Sequence, residues 1–120
     1  MNIMKFDNIV IAEVDKATHI QSPQDMLDIM ATVRYNEKCD NIGIVLYKES
    51  LEKDFFDLKT GLAGEMLQKF SNYYVKLAII GDFSNEKSKS LNDFIRECNR
   101  GNLVFFVNNI EKAVNMMRKR

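Results

Sequence analysis

Four short runs rich in branched and aromatic apolar residues constrain this chain more than any other feature. They are "NIVIAEV" (Asn8–Val14), "NIGIVLYKE" (Asn41–Glu49), "VKLAIIGDF" (Val75–Phe83) and "NLVFFVNN" (Asn102–Asn109). Such residues suit a pleated, half-buried surface, so each run reads as a strand. The middle two are apolar almost without a break, as in a parallel sheet covered on both faces. A short extra strand is expected at Thr18–Ile20, reached through the "VDKA" turn.

Helical periodicity fills the gaps between the runs. In "SPQDMLDIMATVRYNEKC", Ser22 reads as an N-cap, Pro23 as the first helical residue and Asp25 as the acid of a capping box. Met26, Leu27, Met30 and Val33 then share one face. A second helix carries Leu58, Leu62, Met66, Leu67 and Phe70. A third carries Leu91, Phe94, Ile95 and Cys98, with Ser90 and Asp93 as its capping box. Asn99, Arg100 and Gly101 read as its C-cap, with glycine in the left-handed position. "IEKAVNMMRK" forms a last helix. The order is β-β-α-β-α-β-α-β-α, which predicts one α/β domain over residues 1–120. Its sheet is mixed and mostly parallel, with four to five strands and about four helices. Leu46, Leu62, Met66, Ile79, Phe94 and Phe105 are the expected core.

Charge and cysteine usage narrow the function classes. Lys plus Arg and Asp plus Glu are 17 each, so the net charge is zero and no nucleic-acid partner is expected. The basic "MMRKR" end reads as a frayed helix terminus. Cys39 and Cys98 are far apart, and with His19 as the one histidine they build no zinc set; no metal or cofactor is expected. Both read as buried, reduced thiols. With no signal peptide and no membrane-spanning apolar run, the expected location is the cytoplasm.

The segment "DFFDLKTGLAGEMLQKFSNYYVKLAIIGDFSNEKSKSLNDFIRECNRGNLVFFVNNIEKA" resembles an uncharacterised bacterial family, domain of unknown function 4180. "FFDLKTGLAGE" and "KLAIIGDFS" are its most specific pieces, and the likeness covers most of the chain. The element order also resembles the STAS domain of anti-sigma-factor antagonists. In that fold a D-S-S-G-L-like turn opens the helix after the third strand, and its Ser is phosphorylated in regulatory members. Here Thr60 falls on the phosphorylated position, and Gly61 and Leu62 match the Gly-Leu. Leu58 and Lys59 stand where the STAS turn has Asp and Ser. The resemblance implies a regulatory or protein-interaction module acting through residues 58–70, with Thr60, Lys59, Gly61, Leu62 and Gly64 as the partner-binding or phosphorylation set.

The residues themselves leave alternatives open. Thr60 can simply cap free N–H groups of the helix that follows. Gly61 and Gly64 can mark a tight contact, internal or with a partner, or an anion site at a helix N-terminus. No G-K-[ST] follows them, so the turn is not a Walker loop. Residues 58–64 are expected to begin a helix packed close to the sheet, with Thr60 near the surface. A second candidate is a crevice between the loops at 49–59 and 82–90, beyond the carboxyl ends of two strands, rimmed by Asp57, Asp82, Ser84 and Ser88. Lys87 and Lys89 lie in the same loop. Asp54 and Asp57 are not read as a catalytic pair, and His19 has no nucleophile identifiable beside it. Three classes remain: a protein-interaction module, a small enzyme or ligand-binding protein using the crevice, and a structural homo-oligomer such as a homodimer.

Overall fold

The sheet is laid down in the order of the chain. A computed structural model, which describes residues 1–120, places β1 (Asn2–Lys5), β2 (Val10–Glu13), β3 (Ile42–Tyr47), β4 (Lys76–Ile80) and β5 (Val104–Val107) side by side. β1 runs antiparallel to β2, and every other pairing is parallel. Five helices accompany it: α1 (Pro23–Glu37), α2 (Lys53–Phe56), α3 (Leu62–Tyr73), α4 (Lys89–Arg100) and α5 (Ile110–Lys119). None is long and apolar enough to cross a membrane.

The period-two alternation of each strand divides its side chains between two cores. Ala12, Ile42, Ile44, Leu46, Leu77, Ile79 and Phe106 face one way, onto Met26, Met30 and Val33 of α1 and Ala63, Met66 and Phe70 of α3. α4 leans Phe94, Ile95 and Cys98 onto the same layer. Ile11, Val45, Ala78, Ile80 and Phe105 face the other way, where α5 supplies Ala113 and Met117. Gly43 lets α5 approach closely: a Cβ there would stand 2.6 Å from Met117 Sδ.

Local chemistry sets the helix ends. Ser22 Oγ accepts from the Asp25 N–H at 3.3 Å and Asp25 Oδ2 accepts from the Ser22 N–H at 3.2 Å, the expected capping box. α1 closes on Lys38 in the left-handed region, at φ 51°. At the β5 edge, the Asn99 side chain accepts from the Phe106 N–H at 2.7 Å and donates to the Phe106 carbonyl at 3.1 Å. An amide thus takes the place of a further strand and closes that edge.

Several expectations are corrected. The second strand of the predicted order is not Thr18–Ile20. Ile20 makes one parallel bridge, with Leu51, while the extra strand is β1, ahead of the first apolar run. The second helix does not include Leu58: Leu58–Thr60 is a separate 3-10 turn. α4 is capped by Ser88, not Ser90, and Asp93 pairs with Lys89 and Arg96 instead of closing a capping box. Gly101 is extended, at φ −83° and ψ −162°, so α4 does not end on a left-handed glycine. The basic end is not frayed. The Arg118 guanidinium stacks on the Phe6 ring at 4.2 Å, and Arg120 donates to the carbonyls of Asn99 (2.6 Å) and Gly101 (3.0 Å). Leu46, Met66, Ile79 and Phe105 are fully buried, but Leu62 and Phe94 are only partly covered. Phe94 lies on α4, which packs at the β5 edge of the sheet, and meets Phe106 edge-on at 6.1 Å.

Both cysteines are free and half-buried. Burial, helped by the Glu97 charge, pushes the Cys98 thiol up to about 11. At pH 8 that leaves roughly one thiol in a thousand as the reactive thiolate. Alkylation of the native protein without reductant should modify Cys98 about a hundredfold more slowly than alkylation in urea. Equal rates, or a species two hydrogens lighter that resists alkylation, would contradict this. The packing makes a second prediction. Phe70→Ala should cost about 3–5 kcal/mol, and Phe94→Ala clearly less. Chemical denaturation midpoints measure both, and the reverse ranking would mean α4 covers the sheet more fully than α3 does.

Candidate functional site

Between β3 and α3 the chain must leave the sheet and turn back over it, and it does so in three short steps. Lys48–Ser50 forms a 3-10 turn, α2 follows, and Leu58–Thr60 forms the second 3-10 turn. Two buried groups anchor the path. Ser50 Oγ donates to the Lys16 carbonyl at 3.0 Å, and Phe55 is buried in the core.

The end of this path is tied by its own polar groups. Asp57 Oδ1 accepts from the Lys59 N–H at 3.2 Å. The Thr60 hydroxyl lies 2.6 Å from the Asp54 carbonyl and 2.9 Å from the Asp57 carbonyl, and it accepts from the Leu62 N–H at 3.2 Å. One hydroxyl therefore joins α2, the turn and the first amide of α3, while Thr60 stays at the surface. Gly61 follows at φ +78°, where a side chain would strain the backbone.

The expected close contact at Gly61 or Gly64 is absent inside the molecule. A Cβ on either would meet nothing within 4 Å. Gly61 answers a backbone need, and Gly64 lies on the outward stripe of α3 with Glu65 and Gln68. Leu62, half-buried, packs on the core.

The crevice residues fall into two adjoining cavities. Asp57, Lys59 and Ser88 meet in one of about 320 Å³, with Phe56 and Ser90 in its wall. Asp82 and Ser84 line another of about 330 Å³, with Phe83, Asn108 and Lys112. Phe56 and Phe83 touch at 6.1 Å between ring centroids. The Lys48 ammonium sits over Phe83 at 4.9 Å, donates to the Asp82 carbonyl at 2.9 Å and pairs with Glu86 at 3.2 Å. Lys48 thereby clamps the 82–88 loop against α2. Gly81 makes room for its stem, because a Cβ there would stand 2.6 Å from Lys48 Cβ. The Asp82 carboxylate turns onto its own loop. Hydrogen bonds from the Ser84 hydroxyl and backbone, with Lys48 adding attraction, hold it below the usual carboxylate range.

Lys48, Phe56 and Phe83 were not marked by sequence reasoning. The "FF" and "GDF" aromatics were visible, but nothing in the chain order pairs residue 48 with residues 82–86. Lys87 and Lys89 stay on the surface, and Lys89 bonds to Asp93 at 2.8 Å. His19 is exposed in the loop before α1, and no group of three or more His, Cys, Asp or Glu side chains is placed to hold a metal ion.

The molecule is thus a small α/β protein whose mixed sheet carries a hydrogen-bonded, outward-facing turn beside two shallow cavities. The chain belongs to the family described as Domain of unknown function (DUF4180), whose model matches residues 6–117. No curated protein and no solved structure matches it.

The turn's bonding generates a test. Thr60→Ser keeps the hydroxyl and should be nearly neutral. Thr60→Ala should lose about 0.5–2 kcal/mol, because the Leu62 N–H loses its acceptor. Unchanged thermal unfolding of Thr60→Ala would show that the three hydroxyl contacts contribute nothing.

Proposed function

We propose that this protein is a STAS-like regulatory module that binds another protein through the turn and helix at residues 58–70. The observation that supports the reading is Gly64. Glycine weakens a helix by about 0.5–1 kcal/mol relative to alanine. No neighbour within the chain needs the small residue. A partner backbone or side chain seated on this stripe does need it. Lys59 and Thr60 flank the stripe at the surface, and the hydroxyl bonds of Thr60 hold the turn in one shape before any partner arrives. Phosphorylation of Thr60 would replace those bonds with negative charge at a docking surface, which is how the module would be switched. Free thiols favour a reducing compartment such as the cytoplasm.

The test separates fold from binding. Gly64→Ala should raise stability by about 0.5–1 kcal/mol, and Gly64→Leu should leave the fold intact. Pull-downs from the native host should recover a partner with wild type and lose it with Gly64→Leu and Thr60→Asp. A partner retained by both variants would overturn the docking surface. Loss of a dimer with Gly64→Leu in light scattering, without loss of any other protein, would make the stripe a contact between copies. Binding of a small molecule at Asp57, Lys59 and Ser88, with no protein partner, would favour the crevice instead.

A further inference from the structure

A separate cavity of about 350 Å³ opens between α1 and the last residue of α3. Its apolar wall is Leu27, Met30, Ala31 and Tyr73, and the cation in its lining is Arg34. Arg34 Nη2 donates to the Tyr73 carbonyl at 2.6 Å, a group left open where α3 ends, and to the Asp40 carbonyl at 3.2 Å, in the loop after α1. These bonds hold the guanidinium in place without neutralising it, because Arg34 takes part in none of the chain's ion pairs. Its Nε–H is shut off from water and has no acceptor. Nη1 makes no hydrogen bond to the chain. The single carboxylate in the lining, Asp28, accepts from Gln24 at 2.9 Å.

A buried donor without an acceptor is costly, and a half-buried cation without a counter-charge adds to the cost. The Nε–H is out of reach of any outside group, but an anion from outside the chain would supply the counter-charge and an acceptor for Nη1. The volume lies at the small end of ligand sites, and Tyr73, a residue 48% exposed, would be partly covered by an occupant. We propose that this cavity binds a small carboxylic acid with an apolar body. The carboxylate accepts from Arg34, and the body packs on Leu27, Met30, Ala31 and Tyr73. This site is independent of the turn at residues 58–64.

Benzoate, hexanoate and the neutral analogue benzyl alcohol, titrated into the isotope-labelled full chain, test it by NMR. Benzoate or hexanoate should give saturable shifts at Leu27, Met30 and Ala31. Benzyl alcohol should bind about tenfold more weakly or worse, as should benzoate to Arg34→Met, which keeps the apolar stem but not the charge. Should Arg34→Met fail to fold, Ala31→Phe decides, since it fills the cavity from an exposed helix position and should abolish the shifts. Shifts that never saturate with either acid, equal binding of benzyl alcohol, or undiminished binding to Ala31→Phe would overturn the proposal.

Discussion

Strands β3 and β4 have no face left for water, and the rest of the structure follows from that. Ile44, Val45 and Leu46 are fully buried in one strand and Leu77, Ala78 and Ile79 in the next, with side chains alternating between two cores. A central pair covered on both sides needs helices above and below it, and parallel pairing needs a crossover after each strand. The chain meets both demands at once. α1, α3 and α4 serve as crossovers and cover one face, and α5, which follows the last strand, covers the other. The two edges are treated differently: an antiparallel hairpin extends one, and the Asn99 amide closes the other.

The candidate site is a product of the longest strand-to-helix connection in these crossovers, the one that leads from β3 to α3. Between Tyr47 and Leu62 the chain uses fourteen residues where a direct loop would need fewer, so their polar groups must be satisfied locally. Thr60, Asp57 and Ser50 do this with side-chain bonds to backbone. Lys48 then fastens the neighbouring 82–88 loop across two aromatic rings. The result is a preorganised surface, which lowers the ordering cost of any contact made there.

Much of this architecture was legible in the chain. The four apolar runs became β2 to β5, and Ser22, Pro23 and Asp25 began α1 as their chemistry requires. Strand β1 was missed because "NIMK" carries only a weak alternating pattern; pairing with β2, not propensity, makes it a strand. The helix at residues 58–70 was drawn too long because Leu58 keeps the four-residue spacing of Leu62, Met66 and Phe70. Gly61 breaks the helix at that point, and Leu58 reaches the core from the preceding turn.

By itself, then, the sequence determined the element types, their order and the layered α/β class, because these depend on periodicity and capping within a few residues. It also marked Thr60 and the two glycines as unusual. Only the tertiary structure decided what each does. Thr60 bonds to Asp54, six residues back, Gly61 serves a left-handed backbone, and Gly64 faces outward with no contact of its own. The same holds for Lys48 against Asp82 and Arg34 against Tyr73, pairs 34 and 39 residues apart. Such pairings depend on how the sheet brings loops together, and local spacing carries no record of that.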